Sequence, residues 1–78
     1  MEKRELKIGG KYRHFKDRYY RVLCVAHHSE TMEKLVIYQA LYGENTVYAR
    51  PYDMFFEPVD REKYPDADQY YRFEAVNE

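Results

Sequence analysis

Leu35-Val36-Ile37-Tyr38-Gln39-Ala40-Leu41-Tyr42-Gly43-Glu44-Asn45-Thr46-Val47-Tyr48-Ala49-Arg50-Pro51 is the stretch on which the fold turns. Two runs rich in apolar and aromatic residues, Leu35 to Tyr42 and Thr46 to Arg50, flank Gly43-Glu44-Asn45. Gly and Asn both tolerate positive φ, so this tripeptide reads as a hairpin loop. Pro51 lacks a backbone donor and stops the ladder. A loop joining Tyr42 to Thr46 sets Ala40 opposite Tyr48 and Tyr38 opposite Arg50. Because side chains alternate along a strand, one face then carries Tyr38, Ala40, Tyr42, Tyr48 and Arg50. The other carries Leu35, Ile37, Leu41, Val47 and Ala49, which is the face expected to form the core.

Moving toward the N-terminus, Tyr19 to His28 reads as a strand, with Ser29 to Glu33 as its loop. Pairing His28 with Lys34 extends the tyrosine face through Tyr20, Val22, Cys24, Ala26 and His28. That surface has a floor of small residues (Cys24, Ala26, Ala40), tyrosine walls, and His28 and Arg50 at its margins. Something should cover it: the last strand, a second subunit or a ligand. Lys7 to Phe15 is a further strand with a bend at Gly9-Gly10, closed by a turn at Lys16-Asp17-Arg18.

Moving toward the C-terminus, Tyr52-Asp53-Met54-Phe55 suits a single helical turn. Glu57 to Val59 is extended, Asp60 to Gln69 is a loop or short helix, and Tyr70 to Val76 is a closing strand. Short strands, tight hairpins and one helical turn predict an all-β fold, a small antiparallel SH3-like barrel, with an OB-like barrel as second choice. The whole chain, 1–78, reads as one domain, its core at about 8–59 and its closing segment at 70–76.

Composition narrows the class. A chain of 78 residues sits near the size at which one core suffices, and ten tyrosines with four phenylalanines supply large rings to fill it. The single cysteine, Cys24, excludes an intramolecular disulfide. No apolar run is long enough to span a bilayer, and Met1 to Glu5 lack an apolar signal core, so a cytoplasmic location is expected. The net charge of −1 hides an asymmetry: residues 1–21 hold eight Lys/Arg against three acids, residues 51–78 three against eight. Neutralisation of one end by the other is the simplest reading.

Candidate chemistry is thin. Adjacent His27 and His28 point to opposite faces of a strand and do not readily serve one metal ion. No Cys/His pair among His14, Cys24, His27 and His28 has zinc-finger spacing, so no metal or other cofactor is expected. Cys24 with His28, or His28 with Ser29 and Glu30, is weak evidence for a catalytic constellation. Ser29-Glu30-Thr31 reads first as a loop shaped by its own side chains, and second as an anion-binding turn. Arg13, Lys16, Arg18 and Arg21 alternate with Tyr12, Phe15, Tyr19 and Tyr20, a mixture found in single-strand nucleic-acid grooves, but the overall charge disfavours that partner. Arg50, beside Tyr38 and Tyr48, suits stacking or a fork with a carboxylate or phosphate; the alternative is a structural pair with Glu30 or an acid of the tail.

In order along the chain stand Tyr12-Arg13-His14-Phe15-Lys16, His28-Ser29-Glu30-Thr31, Val36 with Tyr38, Leu41-Tyr42-Gly43, Arg50-Pro51, Met54-Phe55 and Arg72-Phe73. Together they resemble a small, mainly bacterial family of domains of unknown function, DUF1653, over residues 8–76. Asp17 stands where that pattern has a glycine, and Tyr48 where it has a tryptophan. The resemblance implies no activity. It implies only that the hairpin tip, Tyr38, Tyr48 and the Arg50-Pro51 corner belong to one shared site or one shared core.

The function expected from these readings is a noncatalytic binding domain. Its site is Tyr38, Tyr42, Tyr48 and Arg50, with His28, Ser29, Glu30 and Thr31 at the rim. The ligand is a planar or anionic group, such as a nucleotide fragment, or a peptide. The alternatives are a small hydrolase or nucleotide-processing enzyme using His28 and Glu30, and a homo-oligomerisation module.

Overall fold

Every strand expected from the hydrophobic pattern forms. The computed structural model describes residues 5–77; the Met1–Arg4 part of the leader expectation lies outside them. The elements are β1 (Lys11–His14), β2 (Arg18–His27), β3 (Lys34–Ala40), β4 (Val47–Pro51), α1 (Tyr52–Phe55) and β5 (Phe73–Ala75). They build one antiparallel sheet in the order β4-β3-β2-β1-β5.

The sheet is open, which corrects the SH3-like barrel. β4 and β5 stand at opposite edges instead of pairing. The physical reason lies just beyond Pro51. The chain turns into α1 there and lays Phe55 across one face of the sheet, where it stacks on Phe73 at 4.4 Å and meets Tyr12 edge-on at 5.3 Å. Those rings cover the face that closure would otherwise have to shield.

The buried face is also the reverse of the one expected. Tyr12, Tyr20, Val22, Val36, Tyr38, Ala40, Phe55 and Phe73 form the core. Leu41 is 40% exposed and Val47 51%. Tyrosine and phenylalanine rings bury more area than the short aliphatics opposite, so the covering aromatics settle on the tyrosine side.

Two register differences accompany this. The β3–β4 loop is longer than the tripeptide, with Ala40 N–H donating to Thr46 O at 2.9 Å, so Tyr38 pairs with Tyr48 and Val36 with Arg50. The slip is two residues, and parity survives it: Tyr38, Tyr48 and Arg50 still share a face. Gly43 and Asn45 adopt φ of 58° and 57°, as the loop reading required. In β2 a bulge lies between Val22 and Cys24, so Val22 pairs with Tyr38 while Cys24 pairs with Ile37. One extra residue inverts everything beyond it. Cys24 and Ala26 therefore face the side of Ile37 and Leu35, and the small-residue floor beneath the tyrosines does not exist. His27, rather than His28, pairs with Lys34.

The turn between β1 and β2 needs a left-handed residue, and Asp17 supplies it at φ 64°. Its N–H donates to His14 O at 2.8 Å. A short polar side chain thus does what glycine does at this position.

Candidate functional site

The site begins at Arg50, where a strand meets a proline. Its Nε donates to the Tyr38 hydroxyl at 3.4 Å, and its guanidinium lies 5.7 Å from the centre of the Phe73 ring. Tyr48 stacks on Tyr38 at 5.6 Å, and Tyr42 shares a hydroxyl–hydroxyl hydrogen bond of 2.5 Å with Tyr20. Burial and that bond hold the Tyr20 phenol well above its usual pKa. The four expected residues Tyr38, Tyr42, Tyr48 and Arg50 are thus brought into one aromatic cluster, although Tyr38 is buried and only Tyr48 offers an open ring.

The rim residues behave differently. His28 Nδ1 accepts the N–H groups of Glu30 at 3.2 Å and Thr31 at 3.4 Å, and Thr31 Oγ1 accepts from Glu33 N–H at 3.2 Å. His28, Ser29, Glu30 and Thr31 are all exposed, and His28, Glu30 and Thr31 are engaged in hydrogen bonds within their own turn.

Arg50 instead faces a cleft of about 320 Å³ lined by His14, Phe15, Lys16, Arg50, Asp60, Lys63, Tyr64 and Arg72. Neither His28 nor Glu30 contributes to its walls. Three separate devices assemble it. The Asp17 turn places His14, Phe15 and Lys16 at the end of β1. Phe15 N–H donates to Arg72 O at 3.0 Å, and Arg72 N–H donates to Glu57 O at 3.0 Å, binding the segment before β5 to both sides. The loop that carries Lys63 and Tyr64 is held by Asp60, whose Oδ1 accepts from Glu62 and Lys63 N–H, and by Tyr64 N–H donating to Asp60 O.

Gln69 holds these parts together from beneath. Its buried amide donates to the carbonyls of Arg13, Tyr71 and Arg72, and its Oε1 accepts from Arg13 Nη1 at 2.7 Å. Arg13 also pairs with Asp68 and Asp17. One ion pair among the described residues, Arg13 with Asp68, joins the basic end to the acidic end.

The cations of the cleft are less fully satisfied. Among the described residues no carboxylate lies within ion-pair distance of Arg50. Arg72 Nε is 4.0 Å from Glu57 Oε1, is buried, and has no hydrogen-bond partner among the described residues. His14 accepts Lys16 N–H at Nδ1, which leaves Nε2 to carry the proton of the neutral ring. Burial first, then the charges of Arg50, Lys16 and Arg72, push the His14 pKa down to about 4. At neutral pH it is an uncharged donor among cations. Lys16, 5.1 Å over the Tyr64 ring, lowers the Tyr64 pKa. A second cleft of about 330 Å³ shares Phe15, Lys16, Lys63 and Tyr64 with the first and adds Pro65, Asp66 and Ala67.

Such an arrangement offers several donors to an oxyanion and has one acid, Asp60, already engaged with backbone N–H groups. Among the described residues no cluster of three or more His, Cys, Asp or Glu is placed to hold a metal ion. No helix among them is long and apolar enough to cross a membrane. His14, Lys16, Lys63, Tyr64 and Arg72 were not foreseen as one site. Their signal was the basic, aromatic run Tyr12 to Lys16 and the Arg72-Phe73 pair, present in the sequence but far apart in it.

Comparison with known proteins places the chain. No curated protein matches it. A crystal structure of a DUF1653 protein from Bordetella bronchiseptica superposes with a TM-score of 0.73 at 32% identity, over 88% of this chain and 86% of that one. A family model for proteins of unknown function, DUF1653, matches residues 10–75, which span the sheet, the cleft and Arg50 alike. The chain belongs to that family.

Proposed function

We propose that this protein is a noncatalytic binding domain for a small anionic ligand, taken up in the cleft between the end of β1, Arg50 and Arg72. The observation that carries this reading is the convergence of Lys16, Arg50, Lys63 and Arg72 on one concavity, with the buried Nε of Arg72 lacking a hydrogen-bond partner among the described residues. Four cationic side chains against one carboxylate, Asp60, leave the cleft walls with excess positive charge, which an anionic ligand offsets. Arg50 is held by Tyr38, itself stacked on Tyr48, so these tyrosines act as a wall that orients the guanidinium. The His28 turn is peripheral to this site and stabilises its own loop.

The test is a titration of the full chain with inorganic phosphate at neutral pH and low salt, followed by amide NMR. Shifts clustered at Phe15, Lys16, Arg50 and Arg72, and lost in Arg50→Ala, support the reading. Shifts scattered over surface lysines, or undiminished in that variant, refute it.

A further inference from the structure

We propose that the ligand of this cleft is a nucleoside monophosphate, its phosphate held by Arg50, Arg72 and Lys16 and its base lodged in the adjoining cleft beside Phe15 and Tyr64. The inference rests on the anion-binding reading and adds the ligand class. Its basis is the contrast between two concavities that share a wall. The first is dominated by cations. The second, about 330 Å³, keeps Phe15 and Tyr64 and adds the apolar Pro65 and Ala67. Each is near the small end of ligand pockets, so together they suit a charged head joined to one flat ring. The two rings meet edge-on, centroids 4.9 Å apart, which leaves aromatic surface on either side of the contact. Lys16 lines both clefts, its ammonium 5.1 Å over the Tyr64 ring, so its charge stands at the wall the two share, between phosphate and base.

Asp66 decides between a mononucleotide and a longer anion. Asp66 lines the second cleft and not the first. A polyphosphate, or a second nucleotide of a strand, brings another negative charge toward it and is disfavoured. A base with an exocyclic amine presents an N–H donor instead, which a carboxylate accepts.

The experiment is calorimetry of the full chain with inorganic phosphate, tripolyphosphate, adenosine and adenosine monophosphate, at one pH and salt. Adenosine monophosphate is expected to bind about ten-fold or more tighter than phosphate, because one base-on-ring stack is worth at least that. Tyr64→Ala should weaken adenosine monophosphate more than phosphate and so remove most of the advantage. Equal affinity for phosphate and adenosine monophosphate overturns the inference while sparing the anion cleft. So does tripolyphosphate binding tighter than the nucleotide, or an advantage that survives Tyr64→Ala. No binding of any phosphate overturns both.

Discussion

Replacing Phe55 by alanine tests which face of this sheet holds the core. Phe55 is fully buried, and its ring contacts those of Tyr12, Tyr38, Phe56 and Phe73 within 5.7 Å. Truncating such a residue costs about 3–5 kcal/mol, the lost transfer energy plus the cavity left behind. A domain of 78 residues has a total stability of about 4–12 kcal/mol. Phe55→Ala should therefore lower the melting temperature by about 15–30 °C, or prevent folding outright. Phe55→Leu keeps most of the volume and should cost about 1–2 kcal/mol, which keeps the loss measurable. Val47→Thr on the exposed side should change stability by no more than about 0.5 kcal/mol. Urea denaturation monitored by far-ultraviolet circular dichroism reads all three. If Val47→Thr destabilises as much as Phe55→Leu, the core lies on the other face and the reasoning fails.

Two further perturbations address the cleft. The His14 pKa of about 4 in the fold lies below the value near 6.5 of an unfolded chain. The unfolded state therefore takes up the proton first, so stability falls as pH drops from about 6.5 to 4 and this contribution then levels off. A partly buried ring limits it to about 1–2 kcal/mol after solvent screening, and His14→Gln should flatten the slope in urea midpoints measured across that window; an unchanged slope contradicts the assignment. Gln69→Leu strips the buried carbonyls of Arg13, Tyr71 and Arg72 of their donor. It should cost about 2–3 kcal/mol and speed hydrogen exchange at Phe15 N–H, the bond that ties β1 to Arg72; unaltered exchange there would show that Gln69 does not support the cleft.

What the sequence revealed and what it hid have separable causes. Alternation and turn chemistry are local, so the strands, the Gly43–Asn45 loop and the helical turn after Pro51 were readable. Parity survived a wrong loop length because the error was an even number of residues, which is why Tyr38, Tyr48 and Arg50 share a face as expected. The bulge after Val22 has no glycine to announce it and inverted the placement of Cys24 and Ala26. Choosing the core face required knowing where Phe55 and Phe73 land, a question of long-range packing. The cleft was hidden for the same reason. Its walls come from residues 14–16, 50, 60–64 and 72, and no periodicity connects them.

The presence of an anion site beside His14 is the claim on which the functional account stands, and the imidazole itself reports on it. Its titration can be monitored by NMR with and without sulfate, a dianion that keeps its charge through the acid range. Bound sulfate places opposite charge beside the ring and should raise the His14 midpoint from about 4 by about one unit or more. Arg50→Ala should abolish that response to sulfate. A midpoint indifferent to sulfate in the wild-type chain would mean that no anion occupies this cleft.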